Sequence, residues 1–141
     1  MSDSDAVFVD TSGWIALLNA DDSLHDQAAQ CLKELAASMR PLTTTDWVLA
    51  ETGNGLARVA ARDRFVLAVE RFLQSGHSRL VRVSPEAFQR ALDLYGRVAD
   101  KTWGLVDCAS FVVMQHEGIR DALTVDRHFQ PAGFRCLLKA P

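Results

Sequence analysis

The chain has 141 residues, 48% hydrophobic and 23% charged, which excludes disordered, collagen-like and low-complexity classes. A formal net charge of −3 excludes a protein that holds nucleic acid simply by being basic throughout. Near this size a chain buries about two thirds of its unfolded surface, so one domain spanning residues 1–141 can build a core without a metal or a disulfide.

Charge is unevenly spread. Residues 1–57 carry nine acids and two bases, whereas residues 58–141 carry nine acids and thirteen bases. That split fits an acidic site with a basic margin, and equally a scatter of surface charge. Cys31, Cys108 and Cys136 are far apart, odd in number and without a CxxC spacing, so neither a disulfide framework nor a zinc site is expected. The acidic start and the lack of an apolar run near ~18 residues predict no signal peptide, no membrane anchor and a cytoplasmic location.

Taken in chain order, Ala6 to Val9 read as a short buried strand that stops at Asp10. Thr11 and Ser12 offer capping oxygens to a helix starting near Gly13-Trp14, with Ile15, Leu17 and Leu18 on its apolar side. Ser23 is placed to cap a helix running to about Ala37, with Ala28, Cys31, Leu32 and Leu35 at three-to-four spacing. Pro41 to Thr44 reads as a strand, and Asp46 as the cap of a helix that carries Val48, Leu49, Glu51, Thr52 and Leu56. Gly53 and Gly55 weaken that helix by ~1 kcal/mol each relative to Ala.

Arg62 to Ser75 is the next helix, with Phe65, Val66, Val69, Phe72 and Leu73 on one face and Gly76 as its stop. A strand over Arg79 to Val83 leads to Ser84-Pro85, a strong helix start, after which Phe88, Ala91, Leu92 and Tyr95 are expected to face the core. A polar turn at Ala99 to Thr102 precedes a helix from about Leu105 to His116, apolar on most sides and ended by Gly118. Asp121 to Val125 and Phe134 to Leu138 complete the strands, with Asp121 read as a turn or capping residue. Strands separated by helices imply parallel pairing and helices on both faces: an α/β protein, a three-layer α/β/α sandwich with a central, mainly parallel sheet.

Four acids interrupt apolar surroundings: Asp10 in VFVDTSGW, Glu51 in WVLAETGN, Asp107 in GLVDCASFVV and Asp126 in ALTVDRHF. A buried carboxylate is costly unless paired or bound to a cation, and no base accompanies Asp107 within its helix. If the four converge, mutual repulsion raises at least one pKa until a divalent cation neutralises them. Hard oxygen ligands suit Mg2+ or Mn2+, and such sites serve nucleases by generating a nucleophile from water for in-line attack on phosphorus. Taken singly, Asp10 is equally readable as a helix cap, Glu51 as a solvated helix residue and Asp126 as a turn residue.

VDTS near the start, the Thr-rich stretch ending at Glu51, the DKTWGLVDCASF segment and TVDRHF followed by AGF occur in an order that resembles the PIN-domain nucleases. Among these, the chain is most similar to the VapC-type toxins of bacterial toxin–antitoxin pairs. The resemblance covers nearly the whole chain. It implies metal-dependent endonucleolytic cleavage of single-stranded RNA leaving a 5′-phosphate, with Asp10, Glu51, Asp107 and Asp126 as the catalytic, Mg2+- or Mn2+-holding cluster. Thr11 and Ser12 would support the acids. It also implies a homodimer silenced by an antitoxin peptide over a hydrophobic groove.

Twelve of the fifteen bases are Arg, and the planar fork of Arg suits phosphate. Arg58 and Arg127 are the candidate RNA contacts, although most of the Arg residues after Glu51 are readable as a solvated helix face. Trp14, Trp47 and Trp103 each lie four residues from a candidate acid and are read as core or interface packing ahead of base stacking. His25, His77, His116 and His128 share no ligand spacing, which speaks against zinc. The rivals are a catalytically silent PIN-fold RNA-binding or scaffold module and an aspartate-based phosphotransfer domain. The latter lacks its motifs, since Ser12 stands where a haloacid-dehalogenase-like phosphatase carries its second Asp.

Overall fold

The computed structural model describes residues 4–58, 60–98 and 100–141. The start at residues 1–3 and Ala99 of the polar turn lie outside them. The strands are β1 (Ser4–Val9), β2 (Leu42–Thr45), β3 (Ser78–Val81), β4 (Ile119–Leu123) and β5 (Arg135–Cys136). Between them run α1 (Thr11–Leu18), α2 (His25–Ala37), α3 (Asp46–Gly55), α4 (Arg62–Gln74), α5 (Pro85–Arg97) and α6 (Leu105–Glu117). All four strand pairings are parallel, in the order β3-β2-β1-β4-β5. The expected α/β/α sandwich is what the chain forms.

The order places β1 in the middle of the sheet. From β1 the chain builds outward to β2 and β3 on one side, then returns to lay β4 and β5 on the other. The direction of winding therefore reverses between β1 and β4, and in such sheets the crevice beyond the carboxyl ends of those two strands is where ligands bind. Register brings Val9 level with Leu123, so Asp10 and Thr124 emerge side by side.

The core follows from the apolar runs. Val7, Phe8 and Val9 of β1 are fully buried, as are Ala122 and Leu123 of β4. Polar groups inside the sheet are satisfied locally: the Thr44 hydroxyl donates to the Val9 carbonyl at 2.8 Å and accepts from Trp14 Nε1 at 3.2 Å. All three tryptophans pack against phenylalanines: Trp14 on Phe72, Trp47 on Phe88 and Trp103 on Phe111.

Caps and charges differ from the sequence reading in instructive places. α2 starts at His25 with Leu24 at its cap position, and Asp22 accepts from the Leu24 N–H at 2.9 Å instead of Ser23 capping the helix. Thr45, rather than Asp46, caps α3 by accepting from the Val48 N–H at 3.1 Å. Asp46 instead holds the end of β3 in place, accepting from the Val83 N–H at 2.9 Å. Asp121 is no turn residue: it lies within β4, 7% exposed. Burial pushes its carboxyl up, but hydrogen bonds from Arg135 and Arg40 outweigh this and hold it below the usual range. Those partners lie 14 and 81 residues away in the chain, so no local pattern announces them.

The apolar face of α5 is the larger surprise. Ala91 is buried, but Phe88, Leu92 and Tyr95 are 40%, 42% and 50% exposed. Val66, Leu67 and Leu73 of α4 are likewise exposed. Both helices are amphipathic as read, yet part of each apolar stripe finds no cover among the described residues.

Candidate active site

Asp10 occupies the N-cap position of α1, with extended backbone at φ −87° and ψ 169°, but its side chain does not cap the helix. It turns toward β4 and accepts from the Thr124 hydroxyl at 3.0 Å. With that single proton given to Asp10, the 2.9 Å contact between Ser12 Oγ and Thr124 Oγ1 has Ser12 as its donor. Ser12 Oγ in turn accepts from the Val125 N–H at 3.1 Å, and Thr124 Oγ1 from the Asp126 N–H at 3.0 Å. The result is a directed chain, Ser12 to Thr124 to Asp10, that ties the first turn of α1 to the segment after β4. Thr11 serves the other side, its hydroxyl donating to Glu51 Oε1 of α3 at 2.5 Å. Thr11 and Ser12 are thus spent on the acids and not on the helix end.

Asp107 is the third residue of α6, where its Oδ2 accepts from the Gly104 N–H at 3.1 Å. This is half of a capping box, and it keeps the carboxylate at the positive end of the helix. Asp126 caps a short 3-10 turn, Arg127–Phe129, by accepting from the His128 N–H at 2.9 Å. Asp10 and Asp107 therefore stand at the N-termini of α1 and α6, whose partial positive charge offsets some of the repulsion. Glu51 is exposed on α3 and approaches from the solvent side.

The imidazole of His128 stands between two of these acids, with Nδ1 3.5 Å from Asp107 Oδ2 and 3.2 Å from Asp126 Oδ1. Ligand atoms of Asp107, Asp126 and His128 all lie within 4.8 Å of one another. Among the described residues, Nδ1 is buried and makes no hydrogen bond, while Nε2 is 2.9 Å from the Thr102 hydroxyl. A buried nitrogen without a hydrogen-bond partner beside two carboxylates is the donor set of a cation site, and it fits a divalent ion.

The electrostatics show the same crowding. Burial, helped by the charges of Asp107 and Asp126, pushes the Asp10 carboxyl up to about 7 against hydrogen bonds from the Thr11 backbone and Thr124. The Asp107 carboxyl is raised by burial and by the charges of Asp126 and Glu51. Asp10, Asp107 and Asp126 are thus within electrostatic reach of one another, and Glu51 acts on Asp107. Arg127 is exposed on the 3-10 turn next to Asp126, and Arg58 is exposed just past the end of α3.

The sequence reading passed over Thr124 and His128. Both lie in TVDRHF, two residues either side of Asp126, so the motif contained them without their roles. Spacing among the histidines does not single out His128. Its partners are carboxylates, which that criterion ignores.

A family model described as PIN domain matches residues 7–134. The chain belongs to the PIN-domain family. Its PIN-domain relatives include the 23S rRNA-specific endonuclease VapC20 of Mycobacterium tuberculosis strain H37Rv, 36% identical over 129 residues, or 91% of this chain and 95% of that protein. The crystal structure of M. tuberculosis VapC20, described as a sarcin–ricin loop cleaving toxin, matches with a TM-score of 0.78 over 91% of this chain and 95% of that one, at 36% identity. VapBC2 from Rickettsia felis, solved bound to a DNA fragment from its promoter, shares the fold with a TM-score of 0.68 at 15% identity, covering 93% of this chain and 96% of that one. Among the described residues, no helix is long and apolar enough to cross a membrane.

Proposed function

We propose that this PIN-domain protein is a Mg2+- or Mn2+-dependent endoribonuclease, the toxin of a toxin–antitoxin pair, acting in the cytoplasm as one nuclease domain. The observation that supports the reading is that the charges of Asp107 and Asp126 bear on Asp10 beside the switch point of the sheet, with Glu51 bearing on Asp107, in a chain 36% identical to a ribosomal RNA endonuclease. Asp10, Asp107 and Asp126 would hold the cation, with Glu51 completing the acidic wall. A bound divalent ion supplies Lewis acidity, easing deprotonation of the attacking water and neutralising charge on the phosphate. The water oxygen forms the new bond to phosphorus and the bond to the 3′-oxygen breaks. That oxygen leaves as a hydroxyl, and the 5′-phosphate stays on the other fragment.

The chain's own residues set the geometry. Thr124 and Ser12 fix the Asp10 carboxylate, Thr11 fixes Glu51, and Gly104 fixes Asp107. Arg127 and Arg58 are exposed and available to the RNA backbone. Association is expected to depend on metal, because at −3 the chain has no diffuse attraction for RNA to fall back on. The exposed apolar residues of α4 and α5 support two partners, a second copy of the chain and an antitoxin peptide.

Ribosomal RNA, the substrate class of VapC20, is the substrate with which to test this. Incubation with Mg2+ or Mn2+ is expected to give discrete fragments bearing 5′-phosphates, and excess EDTA to stop their formation. Cleavage that persists in EDTA, or fragments ending in 2′,3′-cyclic phosphates, would contradict the reading.

A further inference from the structure

We propose that His128 is itself a ligand of the divalent cation, through Nδ1, alongside Asp107 and Asp126, and that this makes the site prefer Mn2+ to Mg2+. The inference rests on the metal-site reading above and goes beyond it in naming a nitrogen donor and a metal preference.

The geometry carries it. Nδ1 of His128 is buried against Asp107 Oδ2 and Asp126 Oδ1, at 3.5 and 3.2 Å, yet it forms a hydrogen bond with neither. An imidazolium serving only to neutralise the two acids would aim its N–H at one of them. A lone pair in that position would instead face two sets of carboxylate lone pairs, an arrangement that is favourable only with a cation shared among the three atoms. They lie within 4.8 Å of one another, a spread that one ion can bridge.

The far side of the ring has the support that ligating histidines use. Nε2 is 2.9 Å from the Thr102 hydroxyl, which can fix the tautomer that leaves Nδ1 free to bind metal. The backbone contributes too: the His128 N–H bonds Asp126 Oδ1 at 2.9 Å, so the two residues are oriented as one unit on the 3-10 turn. Thr102, just before α6, and this turn after β4 are thereby held across the site from each other.

The metal preference follows from ligand chemistry. Mg2+ takes oxygen donors almost exclusively and gives up its waters reluctantly, whereas Mn2+ accepts imidazole together with carboxylate. A site with one nitrogen and two or three carboxylates discriminates between the two ions. An all-carboxylate site does so much less.

Electron spin echo spectroscopy of the full chain loaded with substoichiometric Mn2+ reads the bond directly. The wild-type protein is expected to show the nitrogen modulation of a directly bound imidazole, which His128→Asn loses. Calorimetric titration is expected to show Mn2+ affinity falling about tenfold in His128→Asn while Mg2+ affinity changes less than threefold. Should that variant not fold, wild-type protein labelled with 15N-histidine gives the same answer through the altered modulation. Absence of nitrogen modulation in a wild-type site whose Mn2+ binding is abolished by Asp107→Asn would overturn the His128 assignment and leave the carboxylate site standing. Failure of wild-type protein to bind Mn2+ at all would overturn both.

Discussion

Replacing Asp10 by Asn is expected to cut RNA cleavage on the order of 100-fold or more, and at the same time to raise the melting temperature of the metal-free protein at pH 8. The two effects have one cause. Burial together with the charges of Asp107 and Asp126 pushes the folded-state ionisation of Asp10 up to about 7, from an ordinary value of 3.8. The folded chain thus keeps this proton up to about pH 7, whereas the unfolded chain releases it near pH 4. Stability therefore declines as pH rises through that window and levels off above it. At pH 8 the ionised carboxylate costs the metal-free fold up to roughly 4 kcal/mol.

Asn removes that cost and can still accept from Thr124, so the hydroxyl chain survives. Melting curves in EDTA should show the variant ahead at pH 8, with its advantage shrinking steadily as pH is lowered toward 4. Added Mn2+ should raise the melting temperature of the wild type and leave that of the variant largely unmoved. A variant that melts well below the wild type in EDTA at pH 8 would mean that Asp10 is a structural group, not a functional one.

Gly13→Ala is expected to destabilise the protein by about 3 kcal/mol or more and lower its melting temperature by on the order of 10 °C. A Cβ at position 13 would stand 2.1 Å from the backbone oxygen of Leu123. No side-chain rotation relieves a clash with a backbone carbonyl at the end of β4, so α1 must lift from that strand. The same carbonyl accepts from the Asp10 N–H at 3.3 Å, and Thr124 is the next residue. Any relief of the clash therefore pulls Asp10 and Thr124 apart, and cleavage should fall even in the fraction that remains folded. Gly96→Ala is the control: it lies within α5, nothing stands within 4 Å of its added Cβ, and helix propensity predicts unchanged or slightly improved stability, by up to ~1 kcal/mol. Equal melting temperatures for Gly13→Ala and the wild type would show that α1 does not sit as closely on β4 as described.

How much of this could be read in the sequence depends on the range of the forces involved. All five strands were legible, because apolar runs bounded by turn residues are local signals. The Ser84-Pro85 start of α5 was equally local, and Ser84 accepts from the Ala87 N–H as expected. The destination of the apolar face of α5 was not legible. Periodicity shows that Phe88, Leu92 and Tyr95 share a side; it says nothing of whether their cover comes from the same chain. The surroundings of Asp121 are not legible for a related reason, since the two arginines that make its burial tolerable come from the segment between α2 and β2 and from β5.

The site divides along the same line. Asp107 stood out because a carboxylate in an otherwise apolar helix calls for an explanation, and Asp10, Glu51 and Asp126 because each follows or interrupts an apolar run. Their supporting groups act across the fold. Thr124 reaches Asp10 over 114 residues, and Thr102 meets His128 over 26. The local reading of Thr11 and Ser12 as helix caps misses where their hydroxyls point, toward Glu51 and Thr124.

On the proposed function, these carboxylates hold a divalent cation for RNA cleavage. Side-by-side cleavage of ribosomal RNA by the wild-type chain and by Asp107→Asn, both shown to be folded and both in the same excess of Mn2+, is the decisive comparison. The wild type is predicted to give discrete fragments and the variant none above background. Equal fragment yields from the two would contradict the account.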